Sequence, residues 1–409
     1  MDILIAGGGI GGLTAALALQ ARGHAVTVLE AVREPKPLGV GINLLPHAVA
    51  VLDELGLLPA LRAMAVETSA LVFANRHGQA IYRDARGIAG GYSHPQFSIH
   101  RGELQMRLWR EAGAKVTVLS GQRVANVRDE GSQAIAEIDT ADGPRELAAD
   151  LVVGADGIHS ALRRRLAPDE GGPCWRGVMM WRGTSWAPPF LDGRTMVQAG
   201  HSRAKFVVYP IAAPRADGLQ LINWIADRRV REPEPGLTAP DRADWSRAGR
   251  LDDLLPTFGR WRFDWLDVPG LITRAEQMLE WPMVDRDPLP RWRLGRSTLL
   301  GDAAHPMFPI GSNGATQAIL DAKALADALA THADLDTALA AYEDARRPLC
   351  ARIVDMNRRE GLDAILDRVE ALAPGGFEQL ADVIDPAEVA AEIAAYKLAA
   401  GHRIRSTAA

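Results

Sequence analysis

Only two cysteines occur in the sequence, Cys174 and Cys350, far apart and in no Cys-x-x-Cys pair. That excludes a thioredoxin-like dithiol and a thiolate zinc knuckle, and it suits a reducing cytoplasmic setting. An excess of positive charge is also missing: 46 Lys plus Arg stand against 51 Asp plus Glu, a formal charge of -5. Nucleic acid is therefore not the expected partner. The densest basic cluster, Arg163-Arg164-Arg165, is short and reads as a solvated helix face. No apolar run is long enough for a membrane span. The apolar N-terminal segment has no basic n-region and contains a glycine motif that cleavage would destroy, so it is not read as a signal peptide. His-Glu-x-x-His, Gly-x-Ser-x-Gly and any metal-ligand cluster are lacking, so neither a serine hydrolase nor a metal site is expected. Internal repeats and low-complexity tracts are absent as well.

What is present is an ordinary globular composition, 47% hydrophobic and 24% charged over 409 residues. That length exceeds one minimal core and predicts two joined domains. Residues 2–6 read as an apolar strand, 7–12 as a glycine loop, 13–21 as a helix and 25–30 as a second, parallel strand, a βαβ unit. Helices are expected over 43–55, with Gly56 as cap, and over 101–112; strands are expected over 116–119, 134–139 and 151–153. Between Trp175 and Glu280 tryptophan and β-branched residues become frequent and Pro and Gly punctuate short runs, the texture of a mostly antiparallel sheet. An α/β pattern returns at 297–300; helical composition follows over 317–332, 336–365 and 378–400. The expected fold is α/β, with a Rossmann-type domain assembled from residues 1–71, 98–170 and 295–335. A mostly antiparallel β-sheet domain, 72–97 and 171–294, is inserted into it, and 336–409 forms a C-terminal helical region.

Gly7, Gly9 and Gly12 make a G-x-G-x-x-G motif between strand and helix. The first glycine permits the tight turn, the second lets backbone approach a pyrophosphate, and the third lets the helix pack on the strand. Ile10 and Gly11 complete the turn, and the positive helix end faces the phosphates. Glu30 ends the second strand, placed to bind a ribose hydroxyl pair. This motif by itself does not separate FAD from NAD.

Two further strands end in Asp-bearing turns. One is Val152-Val153-Gly154-Ala155-Asp156-Gly157; the other is Leu300-Gly301-Asp302-Ala303-Ala304-His305-Pro306. Each alone reads equally as a capped strand-to-helix loop. The glycine fingerprint, the D-G motif and the G-D motif in this order resemble the group A flavoprotein monooxygenases, the aromatic hydroxylases of the para-hydroxybenzoate hydroxylase type. Leu38-Gly39-Val40-Gly41-Ile42-Asn43, residues 98–106, Met180-Trp181-Arg182-Gly183 and residues 281–290 look like the phenazine-hydroxylating branch of that family. The likeness covers nearly the whole chain. It implies that the Rossmann-type domain is an FAD-binding domain. It implies roles by position: Asp302 at the ribityl chain, Glu30 at the adenosine ribose, Arg101 and Gln105 beside the pyrophosphate or ribityl region, and Val124 at the adenine. Asp156 is implied to act more indirectly on FAD and NAD(P)H. The loop 309–315, with Pro309, Gly311, Asn313, Gly314 and Ala315, is implied to run along the flavin and activate it. The family loop often reads G-x-G-x-N; here it is Gly311-Ser312-Asn313-Gly314-Ala315-Thr316, with Thr316 as a candidate cap for a helix aimed at the flavin pyrimidine.

That resemblance implies hydroxylation of an electron-rich aromatic by O2 through a flavin C4a-hydroperoxide, with NADH or NADPH as a transient co-substrate. No second G-x-G-x-x-G is present to hold the nicotinamide. The choice of reductant and the oligomeric state stay open. His305 is read as structural, its ring satisfied by backbone. Substrate-pocket candidates are Leu45 with Leu44, Met180, Arg182, Tyr209, Trp224, Phe308 and Pro309. Arg182 is placed to bind a carboxylate; for each aromatic, core packing is the competing role. Strand alternation sets Arg182 and Trp181 on opposite faces without choosing the inward one. N-oxygenation, epoxidation, Baeyer–Villiger chemistry, a flavin-free NAD dehydrogenase and a non-catalytic flavin binder remain the alternatives.

Overall fold

Parallel strands are covered on both faces, so they read as unbroken apolar runs. Ile3-Leu4-Ile5 and Leu151-Val152-Val153 are such runs, and all six residues are buried. A computed structural model describes residues 1–234, 236–240, 247–359 and 361–401. In it Asp2–Ala6 lies between Leu151–Gly154 and Ala25–Glu30; Thr117–Ser120 follows on one side and Ser297–Leu299 on the other, all parallel. Arg293–Leu294 adds an antiparallel edge. Three distant stretches of chain therefore build one sheet. Helices Ile10–Gln20 and Asn313–Thr331 pack side by side against it.

A three-stranded meander, Arg123–Glu130, Gln133–Thr140 and Gly143–Ala149, flanks this sheet. Only its middle strand was expected, because the outer two carry charged and small residues instead of a clean alternation. The inserted sheet has seven strands in the order Gln277–Asp285, Cys174–Ala187, Gln220–Arg229, Ala204–Pro210, Thr195–His201, Ala70–Ala74, Ala80–Ala85. Every pairing is antiparallel except Thr195–His201 with Ala70–Ala74. The expected boundary at residue 71 falls inside a strand. One face of this sheet packs on an aromatic core of Trp181, Trp224, Phe206, Phe258, Trp261 and Phe263. The other faces the parallel-sheet domain and the C-terminal helices.

Several expected ends move. The helix expected over 43–55 is a strand, Gly41–Leu44, then a helix, Pro46–Glu54. Pro46 explains this: it fits the first helical turn, where no N–H is needed, and it keeps Leu45 extended at φ -71°, ψ 157°. Helix Leu335–Arg358 stops before the left-handed Gly361 (φ 51°), and Asp363–Leu372 starts anew. Pro386–Ala399 is the last helix among the described residues; 360 and 402–409 of the expected helical region lie outside them, as do 235 and 241–246 of the expected sheet domain. Among the described residues no helix is long and apolar enough to cross a membrane.

Candidate functional site

A cleft of about 680 Å³ opens at the carboxyl ends of the parallel strands, the usual ligand position in such sheets. Its near wall is the first strand–helix turn, with Gly7, Gly9, Ile10 and Gly11. Gly7 has φ 109°, and a Cβ there would sit 2.4 Å from the Ala155 carbonyl oxygen. Gly12 does not line the cleft. Its absent Cβ would lie 2.1 Å from the Gly7 carbonyl oxygen, so it seats the helix on the turn. No side chain caps helix Ile10–Gln20, and its first-turn N–H groups are free for an anion. Nothing lies within 4 Å of a Cβ built on Gly9. A bare backbone, an uncapped helix end and an acid at the second strand fit a dinucleotide.

Glu30 accepts from Gly8 N and Val32 N, both at 2.7 Å, through different oxygens. Each oxygen keeps a lone pair for a ribose hydroxyl. Gln105 Nε2 donates to the Gly8 carbonyl at 2.9 Å, bracing the turn from helix Arg101–Gly113. Val124, at the start of its meander strand, lines the cleft, as do Arg101, Asp156, Asp302, Gly314 and Ala315. Asp156 Oδ2 accepts from Ala161 N at 2.8 Å, while Oδ1 has no partner; burial pushes its carboxyl up. Asp302 opens to the cleft, yet the protein around it pushes its carboxyl up, with His305 and Arg101 pulling it down.

The turn bearing Asp302 is clamped from behind by Asp321 and Arg346, which the sequence did not single out, together with His305 and Arg163, which it read otherwise. Asp321 accepts from Gly301 N at 3.0 Å and His305 Nε2 at 2.6 Å through one oxygen, and from Arg346 Nε at 2.7 Å through the other. His305 is thus satisfied by a carboxylate, not by backbone as expected. Its burial opposes a charge, but Cys350 and Asp321 hold its pKa well above the ordinary value. Arg163 is buried, not solvated: it donates to the Ala303 and Ala304 carbonyls at 3.2 and 2.8 Å and pairs with Glu170. The sequence showed no metal-ligand cluster, but folding brings His305, Asp321 and Cys350 within 4.8 Å of one another. Two cationic side chains already occupy the single carboxylate there, which suits an ion-pair network better than a metal.

The loop expected to run along the ring, with Pro309 and Gly311, ends at left-handed Ser312 (φ 59°), and the helix begins at Asn313. Thr316 is therefore not its cap; its Oγ1 accepts from Leu45 N at 3.3 Å. Gly314 and Ala315, in the uncapped first turn, line the dinucleotide cleft and also a second cavity of about 210 Å³. Asp302, Ile42 and Arg182 belong to both walls, so the two spaces adjoin.

Of the substrate-pocket candidates, Arg182, Tyr209 and Pro309 line this second cavity. Arg182 Nη2 and Tyr209 OH both donate to the Gly41 carbonyl at 2.8 Å, and Arg182 Nε has no partner. Trp224 is on the opposite face, stacked near Phe206 with centroids 6.1 Å apart, its Nε1 donating to Ser185 Oγ at 3.1 Å. Met180 and Phe308 are buried and do not line it; they pack with Val178 and with Met283 and Ile310, which do. Leu45 and Leu44 are core residues. The candidates missed are Gln198, Lys205, Ile225 and Asp227, all on the cavity. The signal that marks two of them is charge inside strongly apolar strands, Lys205 in AKFVVYP and Asp227 in QLINWIADRR.

A family model described as an FAD binding domain matches residues 1–357. The chain is 46% identical over 367 residues to the phenazine 1,6-dicarboxylic acid hydroxylase PhzS of Lysobacter antibioticus, covering 87% of this chain and 89% of that protein. It is 35% identical over 369 residues to the 3-amino-4-hydroxybenzoate 2-monooxygenase PtnB3 of Streptomyces platensis, covering 87% and 86%. Among solved structures, Klebsiella pneumoniae HpxO complexed with FAD and uric acid shares the fold, with a TM-score of 0.76 at 23% identity over 98% of this chain and 97% of that one.

Proposed function

We propose, from the premise that this chain belongs to the FAD-binding-domain family of group A flavoprotein aromatic monooxygenases, that it hydroxylates a flat aromatic or N-heteroaromatic carboxylate of the phenazine kind. It is an FAD-dependent enzyme using O2 and a reduced nicotinamide, NADH or NADPH. FAD, when bound, supplies electron transfer from the nicotinamide and activation of oxygen.

The observation that carries the reading is that the two spaces adjoin, sharing Asp302, Gly314, Ala315 and Arg182 in their walls. A dinucleotide held in the first presents its ring end to the second. In this reading Glu30 binds the adenosine ribose, the first-turn N–H groups of Ile10–Gln20 bind the pyrophosphate, and Asp302 holds the ribityl chain. Arg101, Gln105, Val124 and Asp156 support that placement from the walls. The uncapped first turn of Asn313–Thr331 sets N–H groups and a positive dipole end where negative charge on the ring is stabilised.

In the second cavity Ile225 and Val207 form an apolar floor beside Arg182. We assign Arg182 to the substrate carboxylate. Pro309 and the buried Met283, Phe308 and Ile310 keep the space dry, which protects the oxygen-transfer step from water. Both cysteines are free, in keeping with work in a reducing cytoplasm.

The test is oxidation of NADH and NADPH by the purified holoenzyme against a panel of benzoates and phenazine carboxylates, under isotopically labelled dioxygen. Substrate-stimulated oxidation with one labelled oxygen atom in the product is expected. A colourless protein that cannot be reconstituted with FAD overturns the reading.

A further inference from the structure

The strand register lays the substrate cavity out as a grid. Arg182 stands opposite Ile225, Ile225 opposite Val207, and Val207 opposite Gln198. One row along, Met180 stands opposite Asp227, and Asp227 opposite Lys205. Rows on one face are about 6.6 Å apart, two residues of strand rise. A flat ring resting on Ile225 and Val207 has Arg182 and Gln198 at its flanks and the Lys205–Asp227 pair along one edge.

That pair is part of a buried triad. Lys205 Nζ lies 2.5 Å from Asp363 Oδ2 and 3.5 Å from Asp227 Oδ2, and all three side chains are 6–7% exposed. Asp363 comes from helix Asp363–Leu372, beyond the residues matched by the family model, and does not line the cavity. Asp227 does, and its Oδ1 has no partner. One cation between two ionised carboxylates leaves a net negative charge in a low-dielectric site, which favours protonating one of them. Asp363 holds the lysine more closely, so Asp227 is the carboxylate that takes the proton.

We infer that Asp227 is a substrate-reading acid: its unpartnered Oδ1 takes up a proton as the cavity fills and donates it in a hydrogen bond to an acceptor on the aromatic substrate, a ring nitrogen or a carboxylate oxygen. This rests on the hydroxylase reading above. Burial, with the like charge of Asp363, pushes the Asp227 carboxyl up to about 6 against the pull of Lys205 and Arg182. Those are the charged groups facing it from the neighbouring strands and from the helix; Tyr209 and Asp302 lie further along the same cavity. An anionic or basic ligand edge strengthens the hold on the proton. Near neutral pH, binding then draws one proton from solvent onto Asp227, and no covalent bond changes.

The experiment titrates the FAD-loaded enzyme through its flavin absorbance with phenazine-1-carboxylate, phenazine and anthracene-1-carboxylate. Kd is expected to be flat below about pH 6 and to rise toward tenfold per pH unit above it. A slope with phenazine but not with anthracene-1-carboxylate makes the ring nitrogen the acceptor; the reverse makes it the carboxylate. Asp227→Asn, which presents an N–H at every pH, is expected to lose the slope, and a slope that persists in it overturns the inference. In the wild type at pH 7, calorimetry in buffers of differing ionisation heat should read uptake of about one proton per site; no uptake overturns the inference even where Asp227→Asn does not fold. Asp363→Asn removes the like charge and frees Lys205 for Asp227, so the break should move to lower pH. Probes that bind and become oxygenated without slope or uptake remove Asp227 alone. If no aromatic acid perturbs the flavin at all, the hydroxylase reading and this inference fall together.

Discussion

Arg182 and Trp224 stand on neighbouring strands of one sheet, yet they serve opposite faces. Arg182→Ala removes the cation assigned to the substrate carboxylate, and substrate KM should rise about tenfold to a hundredfold, the worth of a charged hydrogen bond, in steady-state assays. Trp224→Ala instead opens the aromatic core behind the sheet and should cost about 3–5 kcal/mol of stability in chemical denaturation. Both residues were legible as candidates; which faced the cavity was not, since alternation defines two faces and only packing selects one. Asp321 was invisible in the sequence, being one acid among many. Burial pushes its carboxyl up, but His305 and Arg346 pull it further down, to about 2 against an ordinary 3.8. A depressed carboxylate contributes stability that is present above its unfolded pKa and lost as pH falls through the folded value. Unfolding free energy should therefore drop between about pH 4 and about pH 2, and Asp321→Asn should flatten that drop while lowering stability at neutral pH.

Among elements, helix Asn313–Thr331 was read from its Ala/Leu composition, but its start was placed four residues late. Thr316 is a good cap by type, and nothing local shows that Leu45 N occupies its hydroxyl. The loop before the helix is held instead by a chain of bonds from two distant helices. Tyr396 OH receives from Asn313 Nδ2 at 3.3 Å and donates to Asn357 Oδ1 at 3.1 Å, and Asn357 Nδ2 donates to the Phe308 carbonyl at 3.0 Å. Tyr396→Phe leaves a buried amide and carbonyl oxygen without their partner, which costs about 1–3 kcal/mol. It should also loosen the loop, seen as more hydrogen peroxide released per nicotinamide oxidised. The C-terminal helices were legible as helices only; their part in the site depends on where they dock. Pro46, by contrast, was a readable signal that a strand gives way to a helix at that point.

At the scale of the whole molecule, the dinucleotide cleft draws on the N-terminal turn, the strand ends near Val124 and Asp156, and the Asp302 turn. A ligand bound across such a cleft ties these stretches together. Free FAD at a hundredfold excess over its Kd should add about 2.7 kcal/mol of stability; stripping FAD should lower Tm, and adding it back should restore the loss. By itself the sequence determined the parallel strand runs, the glycine turn, the acids at strand ends and hence a dinucleotide cleft. Those are local matters of backbone sterics and short spacing, complete within a few residues. Only the tertiary structure decided which sheet face lines the cavity, that Arg163, His305 and Asp321 form a buried clamp, and that Lys205, Asp227 and Asp363 share one charge site. These depend on contacts between residues more than a hundred positions apart or on which side chains lose their water, and neither is written in the pattern of any single segment.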